Sequence, residues 1–459
     1  PTNVHKTIAK HMLADGMEQV IDLKKSHGSW MVDARDGKEY LDLFSMFASL
    51  SIGYNHPYIL ENKDKLTTAA LNKVTNSDIY SQEMAEFVET MGRIAQPDYL
   101  PYAFYVEGGA LAVENALKVA FDWKMRKNIA SGKGKKGTKV IHFKECFHGR
   151  SGYTMSLTDS PDPRKTLFFP KFDWPRVSNP KMTFPLNESA VAEAEAKSIA
   201  EINAAIASNP DDIAAMILEP IQGEGGDNHF REEYFQELRK ICDEKDIMLI
   251  YDEVITGFRS STGGYQKLIG IKPDISVLGK IISGGLPGGA VVGLNGIMEL
   301  FDYKGDAHHD RYERIHHLGT FNANPLSCAA GIVTLKKIAT GEPHIRANEI
   351  AEMIRNGMNS ILEEEDVAGY AYGDTSCIHL YLENSIGSEK KDRNMLYTND
   401  PVKLKCIPEV IVRNYQKNLH LRGIDLLSYT GGVTSAMHSY EDVEKTLKVF
   451  QDVIQEMKK

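Results

Sequence analysis

Short runs of consecutive apolar residues recur along the chain, at 103–106, 140–143, 213–218, 248–251, 275–278 and 290–294. Each is closed by a polar or glycine-rich turn. Strands covered on both faces read this way, whereas a strand with one wet face alternates apolar and polar positions. Residues 111–127, between the first two runs, carry a helical pattern. Strands alternating with helices predict an α/β domain built on a mostly parallel sheet, here over residues 57–324. Near the end of the chain Val443, Leu447, Phe450, Val453 and Ile454 form one helical stripe. That stripe predicts a helix packed on a smaller C-terminal domain.

Other stretches break this rhythm. Ser131-Gly132-Lys133-Gly134-Lys135-Lys136-Gly137 reads as a solvated turn, with a basic phosphate grip as the alternative. Residues 387–408 mix charge with turn formers and read as a surface excursion. Met46, Phe47 and Leu50 read as core, with a pocket lining as the alternative.

Charge narrows the partners. The 459 residues carry 53 Lys and Arg against 63 Asp and Glu, a net charge of −10. Nucleic acid calls for a basic surface, and an anionic membrane surface does too, so neither is expected as a partner. The five cysteines are scattered and none has zinc-ligand spacing, which fits a reduced chain. No apolar signal core stands at the N-terminus and no apolar run is long enough to span a bilayer. The expected location is therefore the cytoplasm.

Two strand ends carry candidate chemistry. The run Ile247-Met248-Leu249-Ile250-Tyr251 ends in Asp252, and Ile275-Ser276-Val277-Leu278-Gly279 ends in Lys280. Carboxyl ends of strands are where open α/β sheets bind ligands. A buried Asp252 needs a cationic or proton-donating partner. A lysine beside an acid suits imine chemistry with an aldehyde, and pyridoxal 5′-phosphate (PLP) accounts for both residues. Lys280 would hold it as a Schiff base, and Asp252 would keep its ring nitrogen protonated. Either residue alone reads rather as half of a structural ion pair. Val106-Glu107-Gly108-Gly109-Ala110-Leu111 runs from a strand into a helix, so its backbone N–H groups can meet a phosphate; simple chain reversal is the alternative. In Phe147-His148-Gly149-Arg150, Phe147 can stack on a flat ring and Arg150 can hold a carboxylate, or the two are a core aromatic and a surface arginine. His308, His309, His316 and His317 cluster but match no zinc spacing, so no metal is expected.

Taken in order, Ile217-Leu218-Glu219-Pro220-Ile221-Gln222-Gly223-Glu224-Gly225-Gly226, the Asp252-Glu253-Val254 strand, Gly279-Lys280 and Gly319-Thr320-Phe321-Asn322-Ala323-Asn324-Pro325 resemble the class III, PLP-dependent aminotransferases. The resemblance implies an α/β fold of type I: a large PLP domain at 57–324, and a smaller α+β domain from 1–56 and 325–459. It also implies a homodimer or higher oligomer with shared active sites. Gly109, Ala110 and Thr320 from the other subunit would hold the phosphate, and Phe147 and Val254 would sandwich the ring.

The two halves point to different relatives. Up to about residue 254 the chain is similar to L-lysine 6-aminotransferase, through Ser26-His27-Gly28-Ser29, Phe147-His148-Gly149-Arg150-Ser151-Gly152-Tyr153-Thr154 and Phe169-Pro170-Lys171-Phe172-Asp173-Trp174-Pro175-Arg176. Beyond it, Asp252-Glu253-Val254-Ile255-Thr256-Gly257-Phe258-Arg259 and Gly279-Lys280-Ile281-Ile282-Ser283-Gly284-Gly285-Leu286-Pro287 are more similar to glutamate-1-semialdehyde 2,1-aminomutase. The lysine enzymes carry glutamine where this chain has Ile255, and a C-terminal-domain arginine where residues 424–438 hold none. Glu224 matches the glutamate that pairs with that arginine, and is expected here without a cation, bound to a substrate amine or bracing the site. Arg150, by match to the lysine enzyme, would be the main substrate-carboxylate anchor. The implied reaction transfers a primary amine remote from a carboxylate, with lysine's ε-amine foremost, to an oxo-acid acceptor. A small acceptor such as pyruvate is expected to compete well with 2-oxoglutarate. An aminomutase, a β-amino or aliphatic-amine transaminase, and a PLP-fold binding protein without turnover are the alternatives.

Overall fold

Two units divide the chain in the computed structural model. One comprises Pro1–Asn62 with the described residues from Glu342 onward, the other Lys63–Gly341. The structure describes every residue except 14–15, 76–78, 161, 183, 185, 225, 317–318, 383–408, 427–429 and 459. The expected surface excursion at 387–408 and His317 of the histidine cluster lie outside the described residues.

In the first unit, strands β1 (Trp30–Val32) and β2 (Glu39–Leu43) pair antiparallel. The turn after β2 is unusual. Ser45, Met46, Phe47 and Ala48 have φ of 52°, 47°, 57° and 63°, a left-handed run of non-glycine residues. Each such residue costs roughly 1–2 kcal/mol, so the surroundings must hold it. Asp42 does so in part, with Oδ1 accepting from the N–H groups of Phe44 (2.8 Å) and Ser45 (2.7 Å). Of the residues expected as core, Met46 and Leu50 pack on Met31, Tyr40 and Tyr54, but Phe47 is exposed. The left-handed turn carries its ring outward.

The second unit holds seven strands: β3 (Tyr102–Val106), β4 (Lys139–Phe143), β5 (Arg176–Val177), β6 (Ile213–Leu218), β7 (Met248–Glu253), β8 (Ile275–Leu278) and β9 (Gly289–Gly293). They form one sheet in the order β3-β9-β8-β7-β6-β4-β5. Strands β4 to β8 run parallel, and β9 is antiparallel to both neighbours. Every residue of β6, β7 and β8 is buried, as the consecutive apolar runs predict. Successive residues serve opposite faces. Ala215, Ile217 and Ile250 meet Ala112, Ala116 and Ala120 of the helix Gly109–Ala130, while Met216, Leu218, Leu249 and Tyr251 meet Phe235, Leu238 and Ile241 of the helix Glu232–Lys245. The Gly/Lys-rich loop is exposed over residues 131–136.

The helix Pro325–Ile338, expected in the C-terminal domain, instead packs in this second unit against the helix Gln82–Ile94. The reason is its composition and one glycine. Cys328, Ala329, Ile332, Val333, Leu335 and Ile338 bury the helix nearly all round. A Cβ on Gly331 would lie 2.6 Å from both the Ile282 carbonyl and the Phe87 ring, so only glycine allows that approach.

The chain re-enters the first unit with the helix Glu342–Glu364, followed by β10 (Gly369–Tyr372) and β11 (Cys377–Leu382), then β12 (Ile424–Leu426), parallel to β2, and β13 (Gly432–Val433), antiparallel to β11. The apolar stripe near the C-terminus forms the helix Tyr440–Met457. Val443, Phe450, Val453 and Ile454 share a core there with Ile350, Ile354 and Met358. Among the described residues no helix is long and apolar enough to cross a membrane.

Candidate functional site

The carboxyl ends of β6, β7 and β8 deliver three ionisable side chains to one place in the second unit. Asp252 sits at the end of β7, paired in register with Val277 of β8. Glu219 follows β6 directly, and Lys280 lies two residues past β8. Parallel strands bring these ends to the same edge of the sheet, where ligands bind in α/β folds.

Asp252 is buried and has a charged partner. His148 Nδ1 donates to its Oδ2 at 2.7 Å, and the Val254 N–H donates to Oδ1 at 3.1 Å. Burial alone would pull His148 down, but Cys146 and Asp252 beside it hold its imidazolium well above the ordinary histidine value. The carboxylate and the buried imidazolium compensate each other's burial. Glu219 is also buried; its Oε1 accepts from the Phe147 N–H at 2.7 Å and its Oε2 from the Gly223 N–H at 3.2 Å. Burial pushes its carboxyl up to about 7, with His148 opposing and Asp252 adding to the rise.

Lys280 is the reactive group of the set. It opens a short turn, Lys280–Ser283, with φ of 50°. A lysine in the left-handed region is held there by its neighbours. Burial pulls its amine down to about 8, while Glu219 and Asp252 pull it back up. An amine so tuned is about one tenth neutral at pH 7, far more than an ordinary lysine, and the neutral form is the nucleophile.

Small residues lock these groups to a helix start. A Cβ on Gly109 would lie 2.8 Å from both Val254 methyls, and one on Gly279 would lie 3.2 Å from the Gly109 Cα. The two glycines thus let the N-terminus of the helix Gly109–Ala130 approach both strand ends. No side chain caps that helix, so its first N–H groups and its dipole face the same region. Ala110, in the first turn, belongs to this cradle. Phe147, half-buried, is tied to the acids through its N–H. Ile255, where the lysine enzymes carry glutamine, packs over Gly223, whose Cβ would meet its Cδ1 at 2.5 Å.

Glu224 departs from expectation. It is not left without a cation: Lys165 Nζ forms an ion pair with its Oε1, and Ser160 Oγ donates to the same oxygen at 2.5 Å. The cation comes from the segment between β4 and β5 rather than from residues 424–438. Arg150 is exposed and bonds to no other described side chain, and Thr320 is likewise exposed. The structure brings Gly109, Val254, Asp252 and Lys280 together, while Arg150 and Thr320 are exposed and make no side-chain bond to any of them. Among the described residues no group of three or more His, Cys, Asp or Glu is placed to hold a metal, and His308 and His309 both pair with Glu313.

Sequence reasoning passed over His148 and Lys165 and gave Glu219 no role. His148 had a signal: a buried Asp252 demands a proton donor, and His148 lies between the two residues singled out in its own turn. Lys165 had none, because its partner is distant in sequence.

Comparison with known proteins agrees with this geometry. The family model for class-III aminotransferases matches residues 12–371. The L-lysine-epsilon aminotransferase of Mycobacterium tuberculosis is 50% identical over 286 residues, 61% of this chain and 63% of that relative, so the match spans less than two thirds of its length. A glutamate-1-semialdehyde 2,1-aminomutase of Chlorobium phaeovibrioides is 30% identical over 436 residues, 93% of this chain and 89% of the relative. Among solved structures, the lysine aminotransferase from M. tuberculosis in its internal aldimine form superimposes with a TM-score of 0.85 at 34% identity, covering 100% of this chain and 99% of that one. The expected fold type I is borne out.

Proposed function

The chain belongs to the class-III aminotransferases, and from that premise we propose that it is a PLP-dependent enzyme moving the ε-amine of L-lysine, or a similar ω-amine, to an oxo-acid acceptor. The observation that carries the reading is the meeting of Lys280 and the His148-backed Asp252 at adjacent strand ends, beside an uncapped helix N-terminus.

The residues fit the cofactor on their own terms. The Gly108-Gly109 approach leaves room and backbone N–H groups for a phosphate at Gly109 and Ala110. Val254 and Phe147 offer two apolar faces for a flat ring, and Asp252 offers an ionised oxygen for a ring nitrogen. Thr320 of the partner subunit would complete the phosphate site in a homodimer; a fully active monomer in sedimentation would refute that part. PLP, when bound, supplies an electron sink for the carbanion formed beside the substrate nitrogen.

The protein's own groups then have defined work. Lys280 would hold the cofactor through its amine, which the substrate amine would replace. Its freed Nζ is the base that takes the proton from the substrate's amine-bearing carbon. His148 fixes the direction of the Asp252 carboxylate. Arg150 is the proposed anchor for the donor's carboxylate, and Glu224, held by Lys165, is the proposed second substrate-site residue. An amine-donor screen with 2-oxoglutarate and pyruvate, followed at the cofactor's absorbance, tests the reading. Lysine should convert the cofactor to its amine form; an unchanged spectrum with lysine and with every other ω-amine would sink it.

A second reading draws on the 30% identity with the aminomutase over most of the chain. An aminomutase keeps its intermediate and needs no external oxo acid. Turnover that stops without such an acid excludes it.

A further inference from the structure

We propose that Glu114 is a positioning residue: it fixes the turn that carries Arg150, and so sets the affinity for the donor's carboxylate without touching the donor. This rests on the reading of Arg150 given above and adds what holds that residue in place.

The helix Gly109–Ala130 supplies the platform. Ala110 and Glu114 lie one turn apart in it and so share a face. The chain from Phe147 to Ser151 meets that face at both residues. At Ala110 the approach is steric. Gly149 has φ of 123°, and a Cβ on it would lie 2.7 Å from the Ala110 Cβ and 2.8 Å from Thr154 Oγ1. At Glu114 the approach is polar. Glu114 Oε1 accepts from Ser151 Oγ at 2.9 Å and from the Thr154 N–H at 3.2 Å. That N–H belongs to the first turn of the helix Gly152–Leu157, where N–H groups find no partner within their own helix. A carboxylate from the neighbouring helix takes it, and a negative charge suits that end.

Arg150 stands between two clamps. Before it, the buried Thr158 Oγ1 accepts from the His148 N–H at 3.0 Å and donates to the Gly149 carbonyl at 2.7 Å. After it, Glu114 holds Ser151, whose N–H also donates to Thr154 Oγ1 at 2.9 Å. The exposed Arg150 side chain bonds to no described side chain, so the backbone on either side sets its direction. A guanidinium recognises a carboxylate through a planar fork that must be aimed, and a loosened turn spoils both of its bonds together. The two clamps also divide the work. Thr158 holds His148, the partner of Asp252, whereas Glu114 holds only the Arg150 side. Loss of Glu114 should therefore be felt at the donor's carboxylate and not at the cofactor.

The experiment compares lysine with cadaverine, which is lysine without its carboxylate, on the holoenzyme. Glu114→Ala should raise the KM for lysine by roughly tenfold, the worth of a charge-assisted contact, with kcat and the cadaverine KM held within about twofold. Glu114→Gln keeps an accepting oxygen and should restore the lysine KM. In an Arg150→Ala background Glu114→Ala should add nothing, because the two residues act through one contact. Amide exchange over residues 147–154, read without any donor, should speed up in Glu114→Ala and return to the wild-type rate in Glu114→Gln. Equal KM changes for the two donors, full additivity with Arg150→Ala, a Gln variant as damaged as the Ala variant, or unchanged exchange in Glu114→Ala would each overturn the proposal. Failure of Arg150→Ala itself to separate lysine from cadaverine would instead overturn the reading of Arg150 on which it rests.

Discussion

Two buried aspartates, Asp42 in the first unit and Asp252 in the second, sit at or near strand ends and serve different purposes. Asp42 is consumed by neutral donors: Oδ1 takes two backbone N–H groups and Oδ2 takes the Tyr54 hydroxyl at 2.6 Å. Burial pushes its carboxyl up even so, against the pull of Tyr54 and Ser45. Asp252 has a single backbone donor, and its other oxygen meets an imidazolium. The first arrangement pins a strained left-handed turn. The second keeps a negative charge directed at one place, a short distance from an amine whose proton it helps to hold. Burial of an acid says only that a partner exists. Whether that partner is a set of neutral donors or a cation separates a brace from a working group.

The sharpest break between the two regions is chemical. Lys280→Ala should abolish covalent attachment of the cofactor and lower turnover by about two to four orders of magnitude, the usual worth of a positioned acid–base group. Borohydride reduction of the wild type should leave a mass label on the Lys280 peptide; a label persisting elsewhere in the variant would refute the assignment. Next come the aspartates themselves. Asp252→Asn should cut turnover by roughly a hundredfold or more while the fold and cofactor binding persist. Asp42→Asn should do the reverse, costing about 1–3 kcal/mol of stability in a denaturant titration through the donors it leaves mismatched. Equal loss of stability in both variants would erase the distinction.

Much of this was legible in the chain. The doubly covered strands declared themselves because β6 is apolar throughout and β7 and β8 are apolar but for Asp252 and Glu253 at one end and Ser276 within, and the ligand end followed from where Asp252 and Lys280 terminate their runs. What stayed hidden was pairing across sequence. His148 reaches Asp252 and Lys165 reaches Glu224 only because parallel strands and their loops fold together, and no local pattern encodes those distances. The helix Pro325–Ile338 was assigned to the wrong domain for a related reason: a helix apolar all round announces burial but not against what, and Gly331 supplies the answer only once Phe87 is beside it. The left-handed turn at Ser45–Ala48 carries no glycine, so nothing in its composition announces it.

A smaller effect is expected at Arg150, the exposed guanidinium proposed to hold the donor's carboxylate. Arg150→Ala should reduce kcat/KM for ω-amino acids by about tenfold to a hundredfold, the worth of a charge-assisted contact, and spare simple amines. Parallel kinetics on lysine and on an uncarboxylated amine of similar length decide this. Equal loss on both would make Arg150 a structural residue.

The finest test reads the field around Lys280 itself. Only its neutral amine can attack the cofactor's aldehyde, so uptake of PLP by the apoenzyme should rise with pH through about 8, where burial has placed that amine. Between one unit below and one unit above that value the neutral fraction grows about tenfold, and the uptake rate should follow it. Asp252 helps Lys280 to keep its proton, so Asp252→Asn removes a stabilising negative charge. The change favours the neutral amine. The midpoint of the uptake profile should therefore move to lower pH in Asp252→Asn and stay in place in Asp42→Asn, whose carboxyl belongs to another unit's hydrogen-bond network. A shift to higher pH, or none, would mean that Asp252 does not act on Lys280, and the contrast between the two aspartates would reduce to a difference in partners alone.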